Sequence, residues 1–109
     1  MNADGLLKQT LEALGVPVAR LKYDGKAKTF ITYQLVVGRD VHFTDDENEA
    51  EEYTYRVDIY SKTDYISLLR RVKTALKAAG FFGIVFDPEV FESDTGYFHI
   101  PVQIKYMEV

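Results

Sequence analysis

Two histidines, His42 and His99, are the side chains in this sequence best suited to act as bases near neutral pH. Hydrolysis through a covalent intermediate would need a Ser, Thr or Cys beside such a base, and a third group to orient the imidazole. Neither histidine lies in a GxSxG or HExxH motif, and both fall in stretches that alternate as strands do. They read as strand-surface residues rather than catalytic ones. There is no cysteine, so thiolate chemistry, disulfides and cysteine metal sites are excluded together.

The next candidate is acidic. Asp45, Asp46, Glu47, Glu49, Glu51 and Glu52 make up six of the 17 acids and all lie between Thr44 and Glu52. Carboxylate oxygens suit calcium or magnesium, but this run lacks the D-x-D-x-D-G spacing and closing Glu that wrap one ion. It reads as a solvated loop tip with no metal. Outside that run, 13 basic residues face 11 acids, so one loop carries the negative field of a chain whose net charge is −4. Arg70, Lys73 and Lys77 share one flank of a helix, without the interleaved aromatics that single-stranded nucleic acid stacks on. No sequence-specific nucleic-acid partner is expected. The acidic run and the basic flank are a candidate pair across a subunit boundary. Tyr97, His99 and Gln103, outward on a strand that Pro101 marks as an edge or a bulge, are a third candidate interface.

The elements that position these residues follow from periodicity. Residues 3–14 carry Leu6, Leu7, Leu11 and Leu14 at helical spacing, with Asp4 the expected cap and Gly15 the stop. The stretch 16–28 reads as a connection. Residues 30–37 form a strand, extended past a bulge or bend at Gly38 by residues 41–43. Tyr53, Tyr55, Val57 and Ile59 alternate with Thr54, Arg56, Asp58 and Tyr60, giving a hairpin with a charged tip. Thr63 or Asp64 caps a second helix ending at Gly80, with Tyr65, Leu68, Leu69, Val72, Ala75, Leu76 and Ala79 on an arc of roughly 120°. Residues 84–86 and 97–106 close the chain as strands. The order is α-β-β-α-β-β: an α+β fold with one mostly antiparallel or mixed sheet and two helices packed on one face.

A chain of 109 residues has room for one core, so one domain over residues 1–109 is expected. No apolar run approaches the roughly 20 residues that span a bilayer, and the N-terminal stretch has no basic n-region. No motif calls for a cofactor.

Five features in order resemble the tail terminator, or tail completion, proteins of long-tailed bacteriophages and prophages. They are an N-terminal helix, the FITYQ segment (Phe30 to Gln34), the VDIYSK strand (Val57 to Lys62), the ALKAAGF helix end (Ala75 to Phe81) and the closing FHIPVQIKY strand (Phe98 to Tyr106). The resemblance implies a structural virion protein without enzymatic activity. It would act as a homo-oligomeric, hexameric ring that caps the tail tube, ends tube polymerisation and offers the head its joining surface. The implied partners are the tail tube protein and head-connector proteins, with DNA passing through the ring lumen. The implied place is the virion neck, assembled in the host cytoplasm. Two other assignments stay open: a head–tail connector or head completion protein, and a small ferredoxin-like ligand-binding domain.

Overall fold

The computed structural model describes residues 2–42 and 49–109, with only the backbone of His42, so Asp45, Asp46 and Glu47 lie outside the described residues. Helix α1 (Ala3–Glu12) is capped by Asn2, whose side-chain oxygen accepts the Gly5 N–H at 2.8 Å. Asp4, the expected cap, sits inside the first turn and pairs instead with Arg20 at 3.4 Å. The cap moves because Asn2 is extended and its short amide reaches an N–H three residues on. Helix α2 (Ile66–Ala78) takes Tyr65 rather than Thr63 or Asp64 as its N-cap, with no side-chain cap bond; Asp64, one residue earlier, accepts the Ile66 N–H on its Oδ1 at 3.1 Å. The helix ends at Gly80, in the left-handed region at φ +99°. There the Phe81 N–H reaches the Leu76 carbonyl at 3.0 Å and the Gly80 N–H reaches that of Lys77 at 3.1 Å. These two bonds satisfy carbonyls the helix would otherwise leave open.

Six strands follow or separate the helices: β1 (Val18–Arg20), β2 (Thr29–His42), β3 (Glu49–Ser61), β4 (Phe82–Phe86), β5 (Val90–Glu92) and β6 (Tyr97–Glu108). Their order across the sheet is β1-β2-β3-β6-β4, with β5 also paired to β6. Every pairing is antiparallel except β1 with β2. Ile31, Tyr33, Tyr55, Val57, Ile59, Ile100, Val102 and Ile104 project from one face and bury Leu7, Leu11, Leu68, Val72 and Leu76 of the two helices. The α+β class, the mostly antiparallel sheet and the helical layer are as the alternation and helical arcs indicated.

Four details differ from the sequence reading. The connection 16–28 contains β1, held parallel to β2 by the Ile31 N–H to the Pro17 carbonyl (2.9 Å) and the Leu21 N–H to the Tyr33 carbonyl (2.8 Å). Three residues are too few for alternation to show. The equally short β5 escaped for the same reason. The bulge is at Val36, between the pairs Leu35–Tyr55 and Val37–Thr54. Gly38 serves a different need: a Cβ there would come within 3.0 Å of the Tyr53 ring. Last, Pro101 does not mark an edge, because β6 is central. Its carbonyl accepts the Asp87 N–H at 2.9 Å, so its missing donor faces the break between β4 and β5. A proline is tolerated where no ladder bond is being asked for.

The ends of the helical layer are pinned to the sheet and to each other. Glu108, near the end of β6, accepts the Ala3 N–H at the start of α1, where a carboxylate is favoured by the exposed N–H groups. Arg71 of α2 donates to the Leu14 carbonyl just past α1. Under α1, burial pushes the Tyr55 hydroxyl up to about 12, helped by Asp4 and Glu108. The folded chain therefore holds this proton more tightly than the unfolded one, whose phenol titrates near 10.0. The stability involved is intact below pH 10 and is lost as pH rises toward about 12. Urea midpoints should fall across that window, and Tyr55→Phe should flatten the fall. An unchanged slope in the variant would assign the loss to other groups.

Candidate interaction surface

Among the described residues, the second face of the sheet bears no helix. Even-numbered residues of β3 and odd-numbered residues of β6 point to it, so alternation places Tyr60, Asp58 and Arg56 beside His99 and Gln103. Near β1 it is aromatic. Tyr23, Phe30, Tyr60 and His99 form one continuous stack, with ring centroids 4.3, 4.7 and 4.3 Å apart. Tyr97 stands edge-on to Phe30 at 5.3 Å and to Tyr60 at 6.3 Å. Its hydroxyl donates to the Ala27 carbonyl at 2.8 Å, and the Lys62 ammonium lies 4.7 Å from its ring centre. Stacked and edge-on rings both satisfy the quadrupole preference of aromatic pairs. A cleft of about 280 Å³ opens beside them, with Leu21, Lys22, Tyr23 and Glu92 in its walls.

One row along, the face is ionic. Asp58 Oδ1 accepts from Arg56 Nε at 2.9 Å and from His99 Nε2 at 2.6 Å. Glu92 lies 3.8 Å from the other ring nitrogen of His99. Asp58 keeps only 8% of its surface exposed although no element covers it, because the neighbouring rings and Arg56 do. Burial, with Asp58 and Glu92 nearby, raises the Tyr60 hydroxyl above its ordinary value, Arg56 offsetting part of this. His99 is thus held between carboxylates. Among the described residues it bonds no hydroxyl, so a Ser–His–Asp relay has no nucleophile here. Further along, Glu52 accepts from Arg39 at 2.9 Å and lies 4.0 Å from Lys105. Among the described residues, no three His, Asp or Glu side chains are grouped to hold a metal. No helix of the described chain is long and apolar enough to cross a membrane.

The residues singled out from sequence are therefore distributed unevenly. Tyr97, His99 and Gln103 do share a surface, the bare face rather than an edge. Glu49, Glu51 and Glu52 line up on β3, where Glu51 receives the Tyr53 hydroxyl and Glu52 is satisfied by Arg39. That bond to Glu51 is the main reason the Tyr53 hydroxyl is raised to about 12. Arg70, Lys73 and Lys77 lie exposed on α2, and none makes an ion pair with a described residue. Among the described residues, Glu51 and Glu52 of β3 do not meet the basic flank of α2 within one copy. Sequence reasoning passed over Tyr23, Phe30 and the Arg56–Asp58–His99 contacts. The one available signal was the outward phase shared by Phe30, Tyr60 and His99, which cannot be aligned before strand order is known.

Compared with known proteins, the chain shares its fold with a chain from the virion of a native gene transfer agent particle. The likeness has a TM-score of 0.58 and covers 97% of this chain and 93% of that one, at 12% identity. At that identity the likeness is one of fold. No protein-family model matches the sequence, and no curated protein matches it.

Proposed function

We propose that this chain is a structural virion protein that caps a phage-type tail tube as a ring, ends tube polymerisation and presents the surface to which the head joins. The observation that carries the reading is a fold shared almost end to end with a chain of a gene transfer agent virion particle. Neither chain has a large unmatched part, so one virion component suffices to account for this fold. The role is structural, not catalytic. The fold suits it, because the stacked rings of Phe30, Tyr60 and His99 stiffen the face of the sheet on which half-buried Tyr97 and exposed Gln103 stand. In the ring, Tyr97, His99 and Gln103 meet a neighbouring component. The acidic residues of β3 and the Arg70, Lys73 and Lys77 flank are further contact surfaces, and DNA passes through the lumen.

Deletion of the gene from the particle's genome provides the test. The expected result is headless tubes several times the normal length, seen in negatively stained lysates and shortened again by the gene in trans. Tails of normal length with unfilled or leaking heads would make the chain a head–tail connector instead. Intact, infectious or transducing particles would overturn both.

A further inference from the structure

Among the described residues, most of the exposed large apolar side chains lie on the two edges of the sheet, Ile66 and Val109 being the exceptions. Leu21, Leu35, Val36 and Val37 lie on the β1–β2 edge; Phe82, Val85, Val90 and Phe91 lie on the β4–β5 edge. The edges oppose one another across the same rows, for Arg20, Tyr33, Val57, Val102 and Phe86 follow in register from one to the other. Charge divides between the β4–β5 edge and the segment made of β1 and the 21–28 loop, which crosses the sheet face far enough for its Ala27 carbonyl to accept from the Tyr97 hydroxyl. Segment 82–96 carries Asp87, Glu89, Glu92 and Asp94 and no basic residue, while segment 18–28 carries Arg20, Lys22, Lys26 and Lys28 against Asp24 alone. Among the described residues, Lys26, Lys28, Asp87, Glu89 and Asp94 form no ion pair. Leu21 adds a second oddity: at φ +65° it is a non-glycine residue in the left-handed region, yet 63% of its surface faces solvent. Such backbone is costly for a leucine, and among the described residues its side chain stands at the mouth of the cleft it shares with Tyr23 and Glu92, mostly in solvent.

We propose that copies of this chain join edge to edge, the acidic, apolar β4–β5 edge of one docking on the basic β1 edge and 21–28 loop of the next. The proposal rests on the ring reading and names its lateral contact. Val90 and Phe91 supply the apolar centre against Leu21, and the opposite charges around them steer the approach and set its polarity. Because the two edges differ, the contact is heterologous. It repeats head to tail, as a closed ring requires.

Charge reversal on the full chain tests this. Glu89→Lys with Asp94→Lys should weaken self-association about tenfold or more, as should Lys26→Glu with Lys28→Glu. The chain carrying all four changes should recover association to within a few-fold of the original. Sedimentation velocity and native mass spectrometry give the readout. All four positions are exposed, so circular dichroism should remain native. Phe91→Asp provides an independent variant and should lose association without recovery by the lysine reversals. Assembly indifferent to the reversals, or not restored by the fourfold change, overturns the edge contact while leaving the ring. A chain that stays monomeric at millimolar concentration overturns the contact and the ring together.

Discussion

Ile59→Ala should destabilise the fold by about 3–4 kcal/mol. Ile59 has no exposed surface and stands in the middle of the row Ile31–Ile59–Ile100, on the central pair β3–β6. Its neighbours across the strands are themselves 0% and 2% exposed, so truncation leaves a cavity that the ladder prevents from collapsing. A domain of this size has a total stability of about 5–15 kcal/mol, so a large share would go, with a fall in Tm of roughly 15 °C. Ile59→Val removes one methylene and should cost only about 1 kcal/mol. Urea unfolding of the three proteins decides the matter. A loss below about 1.5 kcal/mol for the alanine variant would mean that the centre of the sheet repacks freely.

The second large effect belongs to the bare face. Asp58→Ala should cost about 2–3 kcal/mol, unusual for a residue on the side of a sheet without helices. One carboxylate oxygen serves Arg56 and His99 at once, at 2.9 and 2.6 Å. Arg56 keeps 42% of its side-chain surface and would be taken up by water, whereas His99 keeps 14% and would lose its acceptor with little solvent in exchange. Most of the loss is therefore at His99. A double-mutant cycle with His99→Ala should give a coupling of about 1–2 kcal/mol. Additivity to within about 0.3 kcal/mol would show that the contact contributes nothing of its own. Since His99 also ends the stack begun by Tyr23, the alanine variant at Asp58 should loosen the ladder of rings as well as the ion pair.

Much of the architecture was legible because its causes are local. The arc Leu68–Val72–Leu76 and the Gly80 stop specify α2 from neighbours within two turns, and the structure keeps both. Alternation through Tyr55, Val57 and Ile59 specifies which side chains are buried, whichever strands lie beside them. Where a residue has two physical uses, the reading went astray. Asp4 has the chemistry of a cap and is used as the partner of Arg20. Pro101 has the look of an edge and sits at the centre, opposite a gap that two short strands leave.

The candidate surface was legible only in outline. Outward Tyr97 and His99 could be named from phase alone, but phase says nothing about which strand lies alongside. Phe30, Tyr60 and His99 come from three strands separated by long stretches of chain, and they stack only because β2, β3 and β6 are adjacent in that order. The same holds for the two apolar edges: β1 and β4 are short, and nothing local in either makes them the two sides of one sheet.

By itself, then, the sequence determined the periodic elements, the identity of most buried faces and the absence of cysteine chemistry, all of which depend on residues close along the chain. Tertiary structure alone decided that β6 is central, that Asp58 is shared between Arg56 and His99, and that one sheet face is left bare. Those outcomes depend on strand order and register, which are set by long-range pairing and by loops too short to carry a pattern of their own.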